Sequence, residues 1–385
     1  MIITLLTETY WPEVNGVAMT LHRLMTGLSN LGHRIQLVCP NHSDRDISNL
    51  PDNVFVRVVR GLPIPGYSEA KFGLPAQKIL RKMWLAQRPD IIYVATEGPL
   101  GWSAIKEANA QNIPVISGFH TNFHTYSRHY KLGMFEKIVK NYLVGLHNKT
   151  LSTLVPTEGQ KSLVENMGIK NSSILGRGVD ATLFSPKKRS HALRDQWSVN
   201  GNDPVLIYVG RIAAEKNIAL AIETYYKLRQ LNANLKFVLV GDGPLRSVLK
   251  KSHPELIFAG MRTGEDLATH YASGDIFVFP SLTETFGNVV LEAMASGLGV
   301  VAYDYAAARL HIAPNENGML VKIGDSEEFV SKMKIYLENE LLLKKIRLNA
   351  SRYAQLKDWS IIIKQFENIL EMYAGSKSTA WELAG

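Results

Sequence analysis

The sequence is poor in cysteine, in long apolar runs and in metal-ligand patterns, and each shortage removes a class of protein. Cys39 is the single cysteine among 385 residues, which excludes an intramolecular disulfide and a cysteine-based zinc cluster and agrees with a reducing compartment. No stretch reaches the roughly 18 to 20 consecutive apolar residues of a spanning helix. Met1 is followed by neither the basic flank nor the cleavage site of a signal peptide, so the expected residence is cytoplasmic. Both halves lack the three-glycine dinucleotide fingerprint after their first strand, which argues against a nicotinamide enzyme. Residues 240–244 (VGDGP) supply only Gly241 and Gly243 and read as a tight strand-to-helix turn able to line a nucleotide base. His120 and His124 have the spacing of one helical face without an accompanying carboxylate motif, and Asp44 with Asp46 falls in a polar loop away from any strand end. No metal, no bound cofactor and no nucleic-acid partner are expected.

What is present is a globular composition, 46% hydrophobic and 20% charged, in a chain long enough for two domains with separate cores. Most of the net charge of +8 falls in the first 180 residues. Short apolar runs at 1–7, 35–38, 91–94, 115–117 and 151–155 read as buried strands, and helical patterns at 18–31, 69–86, 101–110 and 134–148 alternate with them. A polar, proline-containing stretch at 178–186 interrupts the alternation. It restarts with strands at 205–209, 237–240, 257–258, 276–279 and 299–302. The expected fold class is α/β, with two Rossmann-like, doubly wound domains at 1–180 and 181–359 and a tail at 360–385. Such folds bind ligands at the carboxyl ends of their strands, so the site is expected in the cleft where two such domains face each other.

The residues that could carry chemistry cluster at those strand ends. Asn15 and Gly16 precede the first helix, where a glycine lets backbone N–H groups approach a phosphate or a sugar oxygen; a bare turn glycine explains them equally. Residues 208–217 (YVGRIAAEKN) place Arg211 and Lys216 after a strand, two cations suited to a pyrophosphate whose charge grows on leaving. Residues 279–302 (FPSLTETFGNVVLEAMASGLGVVA) carry Glu284 in a loop, then Phe286, Gly287, Asn288 and Val289 opening a helix, with Glu292 expected two turns in. The helix start offers free N–H groups and a positive dipole end to an anion, and each carboxylate can accept hydrogen bonds from sugar or ribose hydroxyls. Residues 118–126 (GFHTNFHTY) set His120 just past a strand end, able to donate to a sugar hydroxyl, with Tyr126 and then Arg128 following.

Taken together, residues 8–17, 118–124, 210–217 and 284–297 resemble glycosyltransferase family 4, the retaining enzymes of the GT-B fold, and the resemblance covers nearly the whole chain. It implies a hexosyltransferase using a nucleotide-sugar such as UDP-glucose or GDP-mannose. By that resemblance Glu292 binds the donor ribose, Glu284 faces the donor sugar, Arg211 and Lys216 hold the diphosphate, His120 contacts the sugar, and Gly16 lies on a loop near phosphate and acceptor. Reaction is then a front-face displacement in which the leaving diphosphate takes the acceptor's proton, with Arg211 and Lys216 in place of a metal. The final helix, expected at 360–373, would cross back to the first domain. Two departures stand out: 297–299 read Gly-Leu-Gly where relatives often have a proline, and 304–311 read DYAAARLH instead of a glycine pair with a nearby glutamate.

The segments TETYWPEVNGV and FHTNFHTYSRHYKLG look most like the branch of lipid-directed glucosyl- and mannosyltransferases, so a lipid or glycan acceptor is expected, with Asn15, Tyr126 and Arg128 on the acceptor side. Between 128 and 149, Lys131, Lys137 and Lys140 mingle with Leu132, Met134, Phe135, Ile138, Val139, Tyr142 and Leu143. Two readings of this helix stand: it rests on the anionic inner face of the cytoplasmic membrane, or it packs its apolar face on the sheet and solvates its lysines. Two other functions remain open, a non-hydrolysing sugar-nucleotide epimerase of the same fold and a sugar-nucleotide-binding module without turnover.

Overall fold

A computed structural model describes residues 1–10, 16–41, 50–64, 67–119, 133–284 and 287–375. The chain divides into two compact units, Met1–Arg177 together with the stretch from Ser360, and Gly178–Trp359.

The first unit is built on strands β1 (Ile2–Leu6), β2 (Arg34–Pro40), β3 (Val54–Val59), β6 (Ile91–Val94), β7 (Val115–Gly118), β8 (Thr153–Val155) and β9 (Ser172–Ile174). They form one sheet in the order β3-β2-β1-β6-β7-β8-β9, parallel throughout. Between β3 and β6 lies a separate antiparallel pair, β4 (Gly61–Ile64) and β5 (Tyr67–Gly73). The second unit repeats the plan with β10 (Val205–Val209), β11 (Lys236–Val240), β12 (Ile257–Gly260), β13 (Ile276–Phe279), β14 (Gly299–Tyr303) and β15 (Met319–Val321), in the order β12-β11-β10-β13-β14-β15, again parallel. Every residue of β6, β10, β13 and β14 is buried, because helices cover both faces of a parallel sheet. Both sheets reverse their winding beside the first strand, at β1/β6 and at β10/β13.

The helix predicted over 69–86 is corrected. Residues 69–73 belong to β5, and the helix runs only from Gln77 to Ala86. Pro75 accounts for the break, since the residue before a proline is driven out of the helical region. The strands β3, β9 and β15 carry no clear pattern in the sequence because they are short or half-exposed, as the mixed burial along β3 illustrates. Glycine determines one helix contact. Helix Trp359–Ala374 packs within the first unit, where a Cβ at Gly27 would overlap the Ile363 side chain. Phe366 of the same helix meets Tyr93 edge-on at 5.0 Å, and Glu367 accepts from His33 at 2.7 Å. In the second unit Asp275, at the entry to β13, accepts from Arg189 (2.9 Å), Arg194 (3.1 Å), Arg347 (2.9 Å) and the backbone N–H of Val205 (3.0 Å). That knot fixes the strand whose far end leads into residues 280–284.

Candidate functional site

In a doubly wound sheet the loops leaving the two strands at the reversal splay apart and open a crevice. In the second unit those loops follow β10 and β13. The first carries Gly210, Arg211 and a tight 3-10 turn over Ala214–Lys216. Asn217, at φ 53°, takes the left-handed conformation that ends the turn and starts the helix Ile218–Arg229. The second carries Ser281, Thr283 and Glu284. Their meeting point is an ion pair: Lys216 Nζ lies 2.5 Å from Glu284 Oε1 and donates to the Thr283 carbonyl at 2.8 Å. Ser281 Oγ donates to the same Glu284 oxygen at 2.8 Å, and the Tyr305 hydroxyl donates to the Glu284 backbone carbonyl at 3.0 Å. Only 18% of the lysine side chain and 14% of the glutamate side chain are exposed.

Arg211 is not part of this pair. Its exposed guanidinium reaches Glu215 at 3.3 Å, four residues on, while its backbone carbonyl accepts from the buried Tyr208 hydroxyl at 2.9 Å. Burial, and then the charges of Glu284 and Glu215, push that hydroxyl far above its ordinary range, so it stays a donor. The glycine turn after β11 serves packing. Gly241, at φ 132°, lies so close to the Gly210 carbonyl that a Cβ there would collide with it. The turn thereby braces the Arg211 loop, with Ile212 N–H donating to Asp242 O at 2.9 Å.

Gly287, also left-handed at φ 91°, precedes the helix Asn288–Ala295. Glu292 is therefore just past the first turn of this helix, a correction to the two turns expected, because the helix begins at Asn288 and not at Phe286. Its carboxylate accepts from the buried Tyr271 hydroxyl at 2.9 Å. Val289 and Asn288 share the same first turn. A small recess, partly open to solvent, adjoins the ion pair and is lined by Ser281, Glu284, Val290, Tyr303, Tyr305 and Ala307 among others. The loop after β14, which lacks the glycine pair, still adopts a glycine-like backbone: Ala306 has φ 50°.

Asn15, His120, His124, Tyr126, Arg128, Phe286, Asp44 and Asp46 lie outside the described residues. Gly16 opens the helix Gly16–Asn30, and its carbonyl accepts from Arg177 Nη1 at 2.8 Å and from Thr20 Oγ1 at 2.6 Å. Arg177 is buried, and that burial draws its pKa down to about 10, with Tyr93 beside it acting in the opposite direction. Neither Arg177 nor Tyr305 was singled out from the sequence; nothing in a lone GRGVD or DYAAA string says that its polar side chain turns inward.

The reversal in the first unit also holds carboxylates that the sequence reading passed over. Glu8, after β1, accepts from the Leu100 N–H at 2.9 Å at the start of helix Pro99–Ala110, and its own N–H donates to Thr96 Oγ1 at 2.8 Å. Glu97, after β6, has its backbone carbonyl bound by the Tyr142 hydroxyl at 2.7 Å, and Tyr142 stacks on Trp102 at 5.4 Å. His147, buried, donates or accepts at Ser117 Oγ (2.9 Å) and sets its other ring nitrogen 3.8 Å from Glu97 Oε1. Burial lowers its pKa to about 3, so the ring is neutral. Burial also raises Glu8 to about 7, helped by Glu97 and opposed by the backbone N–H groups of Leu100 and Gly101. Among the described residues no group of three or more His, Cys, Asp or Glu is placed to hold a metal ion, and no helix is long and apolar enough to cross a membrane.

Comparison with known proteins adds the following. Residues 14–183 match the model "Glycosyltransferase Family 4" and residues 190–356 match "Glycosyl transferases group 1". A GDP-mannose-dependent alpha-mannosyltransferase of Corynebacterium glutamicum is 30% identical over 330 residues, 85% of this chain and 78% of the relative. An alpha-monoglucosyldiacylglycerol synthase of Streptococcus pneumoniae is 27% identical over 316 residues, 79% and 71% of the two chains. Sucrose-phosphate synthase from Thermosynechococcus elongatus shares the fold, with a TM-score of 0.79 at 18% identity, covering 97% of this chain and 100% of that one.

The Glu8 carboxyl gives a signed prediction. A carboxyl whose folded pKa is raised from 4.5 to about 7 contributes stability below its unfolded pKa and loses it as pH rises through the folded value. Replacing Glu8 by Gln should therefore raise the melting midpoint relative to the parent progressively between pH 4.5 and 7, with a constant difference above. A difference that does not vary with pH would contradict the assignment.

Proposed function

The chain belongs to glycosyltransferase family 4 and is a retaining, GT-B-fold hexosyltransferase with a nucleotide-sugar donor, and from that premise we propose that it moves mannose or glucose from GDP-mannose or UDP-glucose to a hydroxyl of a lipid acceptor. The observation that carries the donor assignment is the Lys216–Glu284 pair at the β10/β13 reversal. Lys216, with Arg211 at the exposed rim of the same loop, neutralises charge growing on the leaving diphosphate, the part a metal ion plays elsewhere. Glu292, steadied by Tyr271, takes the ribose hydroxyls. Glu284, with one carboxylate oxygen tied to Lys216 and Ser281, meets the donor sugar. Gly287, Asn288 and Val289 present the first turn of their helix to phosphate. As the bond from the anomeric carbon to the diphosphate breaks, an acceptor oxygen bonds to that carbon on the same face. Its proton passes to the departing diphosphate oxygen, so no enzymic nucleophile and no cofactor is needed. His120, Asn15, Gly16, Tyr126 and Arg128 act on the sugar and acceptor side. The relatives are transferases, which does not favour an epimerase or a binding module without turnover.

The lipid acceptor is supported by the synthase similarity and by helix Gly133–His147. Leu143 and Leu146 of that helix are buried, whereas Ile138 (59% exposed) and Val139 face outward beside Lys137 and Lys140. The apolar face is thus larger than the sheet covers, and its rim is basic. Such a helix can rest on an anionic bilayer, which would hold the protein peripherally on the cytoplasmic face of the membrane.

Two experiments test this reading. A thermal-shift panel of UDP, GDP, ADP and their sugars should show stabilisation by one nucleotide class, growing with occupancy, while Lys216→Ala lowers kcat by about 100-fold; silence across the panel, or unchanged turnover, would contradict the donor site. Co-sedimentation with phosphatidylglycerol-containing liposomes should be strong at low salt and weaker at high salt, and absence of binding at both would remove the membrane contact.

A further inference from the structure

We infer that Tyr305 is a positioning residue for Glu284, fixing through a backbone carbonyl the carboxylate that meets the donor sugar. This rests on the role proposed above for Glu284. Strands β13 and β14 are adjacent and parallel, so the segments leaving them are neighbours. The Tyr305 hydroxyl bridges the two, donating to the Glu284 carbonyl at 3.0 Å.

The segment holding Tyr305 is itself tightly held. Asp304 N–H donates to Val321 O at 2.7 Å, and the Asp304 carboxylate accepts from Arg309 Nε at 2.9 Å. The next residue, Ala306, has φ 50°, a left-handed conformation that alanine adopts at a cost and keeps only where its surroundings impose it. Tyr305 also stands at the site and not behind it, since its side chain, with Tyr303 and Ala307, lines the recess whose other wall is Glu284.

Two kinds of restraint act on Glu284 here. Lys216 and Ser281 hold one carboxylate oxygen. The Tyr305 bond holds the backbone, and therefore the direction in which the side chain leaves it. When a diphosphate draws on Lys216, the hold of the lysine on the carboxylate is shared, whereas the Tyr305 bond to the backbone, like the Ser281 bond to the carboxylate, does not depend on the lysine. Tyr305 thus keeps Glu284 aimed during the step in which its aim matters.

The test is a double-mutant cycle between Tyr305→Phe and Glu284→Gln, reading nucleoside diphosphate release from GDP-mannose or UDP-glucose, whichever the parent turns over. Tyr305→Phe alone should lower kcat by roughly 3- to 10-fold, the size of one lost hydrogen bond, with donor KM and melting midpoint essentially unchanged. In the Glu284→Gln background the same change should add nothing, because Tyr305 acts through Glu284. Parent-like kcat in Tyr305→Phe, or losses that multiply in the double mutant, would overturn the inference. A drop in melting midpoint together with loss of the stabilisation by GDP or UDP would mark a structural role and overturn it equally. Impaired Glu284→Gln beside unimpaired Tyr305→Phe removes the role of Tyr305 alone, whereas a fully active Glu284→Gln removes the Glu284 assignment with it.

Discussion

Lys216 and Glu284 come from loops 68 residues apart in sequence and meet because β10 and β13 are neighbours at the winding reversal. Neither charge is well solvated there. Removing one would strand the other in a place where water reaches little of it, a penalty larger than the net worth of the pair. The surrounding bonds follow from that constraint. Thr283 O and Ser281 Oγ bond to the two charged heads, Tyr305 secures the backbone carrying the carboxylate, and Gly241 presses its turn against the loop carrying the cation. On the proposed role, a cation held this way would meet a diphosphate without a fresh ordering of its side chain, and charge arriving on a leaving group would find a partner already in place.

The first unit uses the same geometry with different chemistry. Its reversal at β1/β6 brings Glu8 to the start of helix Pro99–Ala110 and Glu97 beside a neutral, buried His147. No described lysine pairs with Glu8. One topology thus occurs twice, one reversal built on a cation and a carboxylate and the other on carboxyl groups and aromatic rings.

Much of this could be read in the sequence. The fully buried strands β6, β10 and β13 emerged with their ends intact because a doubly covered strand is a continuous hydrophobic run, and the motif residues Arg211, Lys216 and Glu284 follow the strand ends, with Glu292 in the helix beyond. What was hidden has physical causes. The pair β4/β5 was concealed by a helical pattern that Pro75 interrupts. The partnership of Lys216 with Glu284 depends on strand order, which no local spacing records. Tyr305 and Arg177 act through backbone carbonyls, and such contacts leave no trace in residue type. The alanine string after β14 looked like a lost glycine turn, yet Ala306 takes up the left-handed conformation itself.

The central claim is that Lys216 is the diphosphate's partner and that Glu284 holds it ready until the donor arrives. Calorimetric titration of GDP and UDP into the parent protein, Lys216→Met and Glu284→Gln tests it most directly. Lys216→Met should bind the nucleoside diphosphate at least about tenfold more weakly, while Glu284→Gln, which frees the lysine from its competing carboxylate, should bind it at least as tightly as the parent. Equal weakening in both variants, or undiminished binding to Lys216→Met, would contradict the account.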